Sequence, residues 1–341
     1  MDPTGGLTLE RVECPLCGGR RTAPTVTTTD LTCGVPGQFT FEACRDRGHV
    51  FLNPRPDRAT IHRAYPTVYS NHQPTGEAAT AVPHRPWYAR PPSRWIPGLK
   101  QLYHWLAADP GAFVPTPPHA NAKALEVGRG TGQYLVKLAL QGWDAEGYEP
   151  ASQAVEIARL SGARVHQGGV DDIQCDSDSL DAVIAWMVLE HLHDPVVAIR
   201  SLSDLLHDGG VLYLSVPNYG SWERAFFGRH WIAHEVPRHL HHFTSRRLRR
   251  MLHDAGFESV NVIHQHNVRN IFGSLGAWLR SVRPGSRMGA VLLECFTKDP
   301  PLWRHLACAP VAKVLAMLRQ GGRLTIVARK VDRKSPQKRL P

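Results

Sequence analysis

The chain has 341 residues, room for one main domain and one or two small additions. No apolar run approaches the ~20 residues that span a bilayer, which argues against a membrane-crossing segment. Charge is uneven: residues 1–220 hold 18 basic and 23 acidic side chains, net −5, and residues 221–341 hold 22 and 7, net +15. Such a field attracts an anionic substrate, a nucleic acid or an anionic membrane surface. No nucleic-acid-binding module or basic–aromatic interleaving accompanies it, which counts against nucleic acid. The 7 cysteines are an odd number and no signal peptide is visible, so the expected compartment is the reducing cytoplasm.

Near the start, Cys14-Pro15-Leu16-Cys17-Gly18 has the spacing of a zinc-knuckle half-site. Its partner should be a second CxxC, and Cys44-Arg45-Asp46-Arg47-Gly48 stands there with Arg47 in place of the last cysteine. Cys14, Cys17 and Cys44 are therefore candidate metal ligands, with Cys33 or His49 as candidates for a fourth. A metal-free remnant is an equal reading. Residues 74–98 are proline-rich and read as a linker. Trp95 to Ala108 then places Ile96, Leu99, Leu102, Tyr103 and Leu106 at helical spacing, a helix packed on the following domain.

The most specific stretch is Ala124-Leu125-Glu126-Val127-Gly128-Arg129-Gly130-Thr131-Gly132. An apolar strand with one acid runs into three alternating glycines, and a helix starts at about Gln133. Glycines there allow close backbone approach to a ligand, and the helix N-terminus offers free N–H groups. The dinucleotide fingerprint G-x-G-x-x-G would need a glycine where Gln133 stands. A second strand ends at Glu149, about twenty residues on, where an acid can accept hydrogen bonds from a ribose diol. Ala163 to His166 is a third strand, followed by the loop Gly168-Gly169-Val170-Asp171-Asp172. Ser179 to Trp186 is a buried fourth strand entering Met187-Val188-Leu189-Glu190-His191-Leu192-His193-Asp194-Pro195. Asp208-Gly209-Gly210 reads as a turn into a fifth strand, Val211 to Asn218. This alternation implies a parallel sheet covered by helices on both faces.

From about residue 122 to 258 the series resembles the small-molecule branch of the class I S-adenosylmethionine-dependent methyltransferases. The resemblance rests on E-x-G-x-G-x-G, the acid Glu149, Leu189-Glu190-His191-Leu192 before Asp194-Pro195, Gly209-Gly210 and Pro217-Asn218. It implies a Rossmann-like seven-stranded α/β sheet, mostly parallel with the last strand antiparallel. Phe257 to Val262 and Arg323 to Arg329 would supply the last two strands. It also implies S-adenosylmethionine as cofactor, held by Glu126, Gly128, Gly130, Gly132 and Glu149, with Trp186 and Met187 closing over it. The family's adenine loop usually has an acid where this chain has Gly169, and Asp171 is the candidate to replace it. The residues around Cys14 and Cys44 resemble the zinc-ribbon domain that often precedes this methyltransferase type.

Transfer from a sulfonium needs mainly alignment and, for a hydroxyl or amine acceptor, proton removal. Histidine suits that task. His239 is the first candidate for a base or acceptor-orienting group, with His191 and His242 behind it. His191 reads equally as a structural residue, and a metal on His239 and His242 lacks a third ligand of recognisable spacing. The expected organisation is a degenerate zinc-ribbon-like domain over 1–72, a linker and packing helix over 73–118, and a methyltransferase domain over 119–331. That domain carries a basic helical insertion at about 263–322, read as a lid over the acceptor or, second, as a peripheral membrane surface. A basic tail follows at 332–341. The expected activity is methylation, at oxygen, of a small-molecule or carrier-linked acceptor. The alternatives are an RNA methyltransferase and a non-catalytic cofactor-binding scaffold.

Overall fold

The computed structural model describes residues 6–65, 113–128, 130–265, 268–297 and 302–331. The packing helix expected at Trp95 to Ala108, the whole proline-rich linker at 74–98 and the tail at 332–341 lie outside the described residues.

The N-terminal module is built from β1 (Leu9–Glu10), β2 (Thr22–Thr28), β3 (Phe39–Cys44), β4 (Val50–Leu52) and β5 (Arg55–Pro56). β1 pairs with β5, and β2, β3 and β4 form an antiparallel sheet. The larger part follows as β6 (Lys123–Val127), α1 (Gln133–Leu140), β7 (Asp144–Glu149), α2 (Ser152–Leu160), β8 (Val165–Gln167), β9 (Leu180–Trp186), α3 (Pro195–Leu205) and β10 (Leu206–Pro217). Then come α4 (Trp222–Phe227), β11 (His241–His242), α5 (Ser245–Asp254), β12 (Phe257–Gln265), α6 (Val268–Val282), α7 (Arg287–Thr297), α8 (Leu302–Met317) and β13 (Arg323–Lys330).

Seven strands form the main sheet in the order β12-β13-β10-β9-β6-β7-β8. β6 to β10 are parallel, and β13 runs antiparallel to both β10 and β12. The parallel part is what the alternation of strands and helices implied, and the antiparallel β13 is what the resemblance implied. β9 is buried along its length except for half-buried Asp181, the reason its sequence is a continuous apolar run. Strand order reverses between β9 and β6, which places a ligand crevice at their carboxyl ends. One boundary differs from the sequence reading. Asp208-Gly209-Gly210 is not a turn before the fifth strand but lies inside β10, where the register against β9 shifts between Leu206 and Val211. Gly209 has φ +79°, and a side chain on Gly210 would meet the Leu180 carbonyl at 3.1 Å. The glycines let the strand begin early through a bulge.

The N-terminal sheet is completed by the other part of the chain: β11 pairs antiparallel with β4, His241 opposite Phe51 and His242 opposite Val50. The two parts also share one core, in which Phe39, Phe41 and Leu52 pack with Tyr219, Trp231 and Leu240. Arg238, fully buried, spans the same seam. It donates to both carboxylate oxygens of Asp30 at 3.0 and 2.9 Å, to the Ala64 carbonyl at 3.0 Å and to Thr32 Oγ1 at 2.8 Å. Burial pushes the Asp30 carboxyl up, but the Arg238 guanidinium together with the Thr32 and Cys33 amides holds it below the ordinary carboxylate value. Removing one partner of a buried pair strands the other charge, at a cost of about 3–5 kcal/mol. Arg238→Met is therefore expected to lower unfolding stability by about that amount, read as a shift of the urea midpoint against wild type.

Candidate functional site

The glycine turn leaves β6 at the switch point. Gly128, Gly130 and Gly132 have φ of +67°, +50° and +69°, the left-handed region that disfavours a side chain. A methyl on Gly132 would meet Ala158 Cβ at 2.8 Å, and one on Gly128 would meet Val188 Cγ2 at 3.0 Å. The turn thus sits against α2 and against the loop after β9. Glu149, buried at the end of β7, braces it: one carboxylate oxygen accepts from the Gly130 N–H at 2.7 Å and the other from the Ala151 N–H at 2.9 Å. A carboxylate offers about four acceptor sites, so two amide donors are compatible with a ribose diol as well.

The other cofactor candidates line the same edge. Glu126 is buried in β6, and Trp186 closes β9, edge-on to Tyr134. Met187 has φ +55° and donates its N–H to the Ser215 carbonyl at 2.9 Å, turning the chain out of the sheet. Asp171 is exposed and lies 3.5 Å from Arg58 Nη1. It is Asp172 that folds back, accepting from the Gly169 N–H at 2.8 Å.

The three histidine candidates fall into different surroundings. His242 is enclosed by aromatic rings, stacked on Tyr219 at 4.9 Å and tilted on Phe41 at 4.3 Å. Carbonyls only accept, so His234 Nε2, 3.0 Å from the Gly228 carbonyl, carries the proton, and His234 Nδ1 accepts from His242 Nε2 at 3.1 Å. A second buried pair, His49 Nε2 and His241 Nδ1 at 3.2 Å, lies along the same seam. His191 is half-buried, with Nδ1 3.0 Å from the Tyr65 hydroxyl of the N-terminal module. His239 Nδ1 bonds the Ala233 carbonyl at 2.9 Å. That fixes the neutral tautomer and turns the lone pair of Nε2 toward Glu235 Oε2 at 3.4 Å and Glu190 Oε1 at 4.0 Å. The rings of His191 and His239 meet edge-on at 4.6 Å.

Glu190 is the group that the sequence pattern did not single out. It is fully buried, and neither carboxylate oxygen has a hydrogen bond among the described residues. Burial pushes its carboxyl up to about 8. Its carbonyl accepts from the Leu240 N–H at 2.7 Å, stitching the loop after β9 to the segment that carries His239. Glu190, His191 and His239 each offer a potential ligand atom within 4.8 Å of the others, a group that draws on the β9 loop and leaves out His242, the partner that sequence spacing suggested for His239.

In the N-terminal module Cys14, Cys17 and Cys44 also come within 4.8 Å of one another, and Cys17 Sγ lies 3.7 Å from Cys44 Sγ. Two thiolates at ~2.3 Å on a tetrahedral ion are about 3.8 Å apart, so the separation fits. Both knuckles turn alike: Gly18 N–H bonds the Cys14 carbonyl at 2.8 Å, and Gly48 N–H the Cys44 carbonyl at 2.6 Å. Arg47 contributes its N–H to Cys44 Sγ at 3.4 Å. Neither Cys33 nor His49 joins the group: Cys33 lies in the turn that Asp30 caps, and His49 pairs with His241.

Residues 100–262 match the family model described as Methyltransferase domain. That stretch, a little under half of the chain, is similar to a methyltransferase domain. A ubiquinone biosynthesis O-methyltransferase of Xanthomonas oryzae pv. oryzae is 33% identical over 133 residues, 36% of this chain and 56% of that protein. The Xanthomonas campestris pv. campestris protein of the same name is 29% identical over 201 residues, 56% of this chain and 78% of that one. The chain thus spans little more than half the length of the first of these relatives. Among solved structures, a SAM-dependent methyltransferase from Thermotoga maritima, a possible histamine N-methyltransferase, is 18% identical. The match covers 62% of this chain and 84% of that chain with a TM-score of 0.41, a likeness that carries no functional argument. Among the described residues no helix is long and apolar enough to cross a membrane.

The buried histidines make the site acid-sensitive. Burial holds His49, His191, His234, His239, His241 and His242 below the ordinary 6.5, to about 3 for His191, His234 and His241. Below pH 6.5 each unfolded imidazole binds a proton that the folded one refuses, so this stability is full above 6.5 and lost as pH falls toward the folded values. The buried carboxyls of Glu190 and Glu223, raised by burial from 4.5 to about 8 and about 7, act in the opposite sense but are two groups against six. Thermal melts at pH 7, 6 and 5 should show a steadily falling midpoint, with net proton uptake on unfolding below pH 6.5.

Proposed function

We propose that this protein transfers a methyl group from S-adenosylmethionine to an oxygen of a small-molecule or carrier-linked acceptor, with His239 as the proton acceptor. The names of the curated relatives, O-methyltransferases of ubiquinone biosynthesis, support oxygen as the acceptor atom. Glu126, Gly128, Gly130, Gly132 and Glu149 would hold the cofactor, with Asp171, Trp186 and Met187 bordering it. When bound, it supplies a methyl group already activated by its sulfonium. The chain's own task is then to align the acceptor, exclude water and remove a proton.

The observation that carries the reading is the fixed tautomer of His239. Its Nδ1 proton is tied to the Ala233 carbonyl, and burial keeps the ring neutral, so Nε2 is a base. Glu235 beside it stabilises the charge that arises when Nε2 takes a proton. His191 positions this arrangement from its place between Tyr65 and His239, and His242 packs the seam. His239→Ala is expected to lower kcat by about 10²-fold or more while the calorimetric affinity for S-adenosylmethionine stays unchanged. Undiminished turnover with normal cofactor binding would remove His239 from the mechanism. No binding at millimolar cofactor would favour a scaffold, and an activity on RNA that collapses with salt would favour the nucleic-acid alternative.

Two metal readings stand beside it. Cys14, Cys17 and Cys44 fit a structural zinc ion, with the fourth position open where Arg47 replaces a cysteine. The unbonded carboxylate of Glu190 favours, as a second reading of the catalytic edge, a divalent cation on Glu190, His191 and His239. Elemental analysis of purified protein should find about one zinc per chain, lost in Cys44→Ser. Turnover that survives EDTA would exclude the second cation, and turnover that requires an added divalent ion would displace the base reading.

A further inference from the structure

The basic insertion does more than cover the sheet. α6 and α7 form a hairpin whose helices touch backbone to backbone: a methyl on Gly276 would meet the Leu293 amide nitrogen at 2.6 Å and the Gly289 carbonyl at 2.7 Å. Its base is seated on the excursion that carries His239. Ile232 N–H bonds Ser274 Oγ at 3.0 Å, and a methyl on Gly273 would meet Ile232 Cγ1 at 3.1 Å. The other end projects. From Arg280 to Met288 every residue except half-buried Ser286 is exposed, and Gly285, φ +84°, makes the turn.

The composition of that tip is selective. Trp278 is 44% exposed, Val282 68% and Met288 63%, on the last turn of one helix and the first of the next. Arg280, Arg283 and Arg287 are interleaved with them, and none has an acidic partner among the described residues. No Asp or Glu occurs between Glu258 and Glu294. A rigid convex tip that offers apolar side chains and only positive charge requires a partner that is negative and accepts apolar groups without a matching groove. A bilayer surface containing anionic lipid has both properties: arginines engage the headgroups while tryptophan, valine and methionine enter the acyl boundary.

We propose that the α6–α7 hairpin tip docks this protein peripherally on anionic membranes. The contact is independent of the assignment of His239.

The test is cosedimentation of the full chain with vesicles of phosphatidylcholine alone and of phosphatidylcholine with one-quarter phosphatidylglycerol. Binding to the anionic vesicles only, weakening as salt is raised, is expected. Arg280→Glu, Arg283→Glu and Arg287→Glu together should weaken it by roughly 100-fold or more, since each basic residue contributes about fivefold. Trp278→Ser with Val282→Ser and Met288→Ser should weaken it even at low salt. Retained cofactor affinity and melting temperature show that these surface variants are folded. Wild-type binding equal on both vesicle types, no binding, or binding indifferent to the arginine reversals would overturn the proposal. So would a tip-dependent dimer in solution, or tip-dependent retention of RNA without vesicle binding.

Discussion

The arrangement depends on one buried guanidinium. Arg238 stands in the excursion after β10 and bonds Asp30, Thr32 and the Ala64 carbonyl of the N-terminal module. A fully buried positive charge is tolerated only where a negative one meets it with satisfied hydrogen bonds, so the seam has essentially one register. Its immediate neighbour is His239, and two residues further on β11 joins β4. The N-terminal module therefore acts as one wall of the region that holds His239, and Tyr65 extends that wall to His191.

The second constraint is steric and lies at the switch point of the sheet. The glycine turn can approach α2 at Gly132 and the loop after β9 at Gly128 because neither carries a side chain, and Glu149 ties the turn to β7 through the Gly130 amide. The cofactor edge and the histidine edge then meet through a single loop, since Met187 and Glu190 are three residues apart.

The histidines show how little residue type decides alone. His234, His242, His49 and His241 are paired and ring-stacked across the seam. His239 differs because one nitrogen is committed to a carbonyl and the other faces two carboxylates. Glu190 gains its elevated pKa from complete burial, a property that no spacing in Leu189-Glu190-His191 reveals.

Local pattern alone made the sheet legible. The apolar run of β9, the alternating glycines with Glu149 behind them, and the strand–helix interval are short-range features whose geometry follows from nearest neighbours. The cysteines were visible for the same reason, as two turns of fixed spacing. Other features required distant segments to meet. Only the tertiary structure brought Asp30 to Arg238, 208 residues away, completed the N-terminal sheet with His241–His242, turned the Gly209-Gly210 pair into a bulge and set Glu190 against His239. Burial and charge pairing are properties of those meetings, and a sequence specifies them only through the fold as a whole.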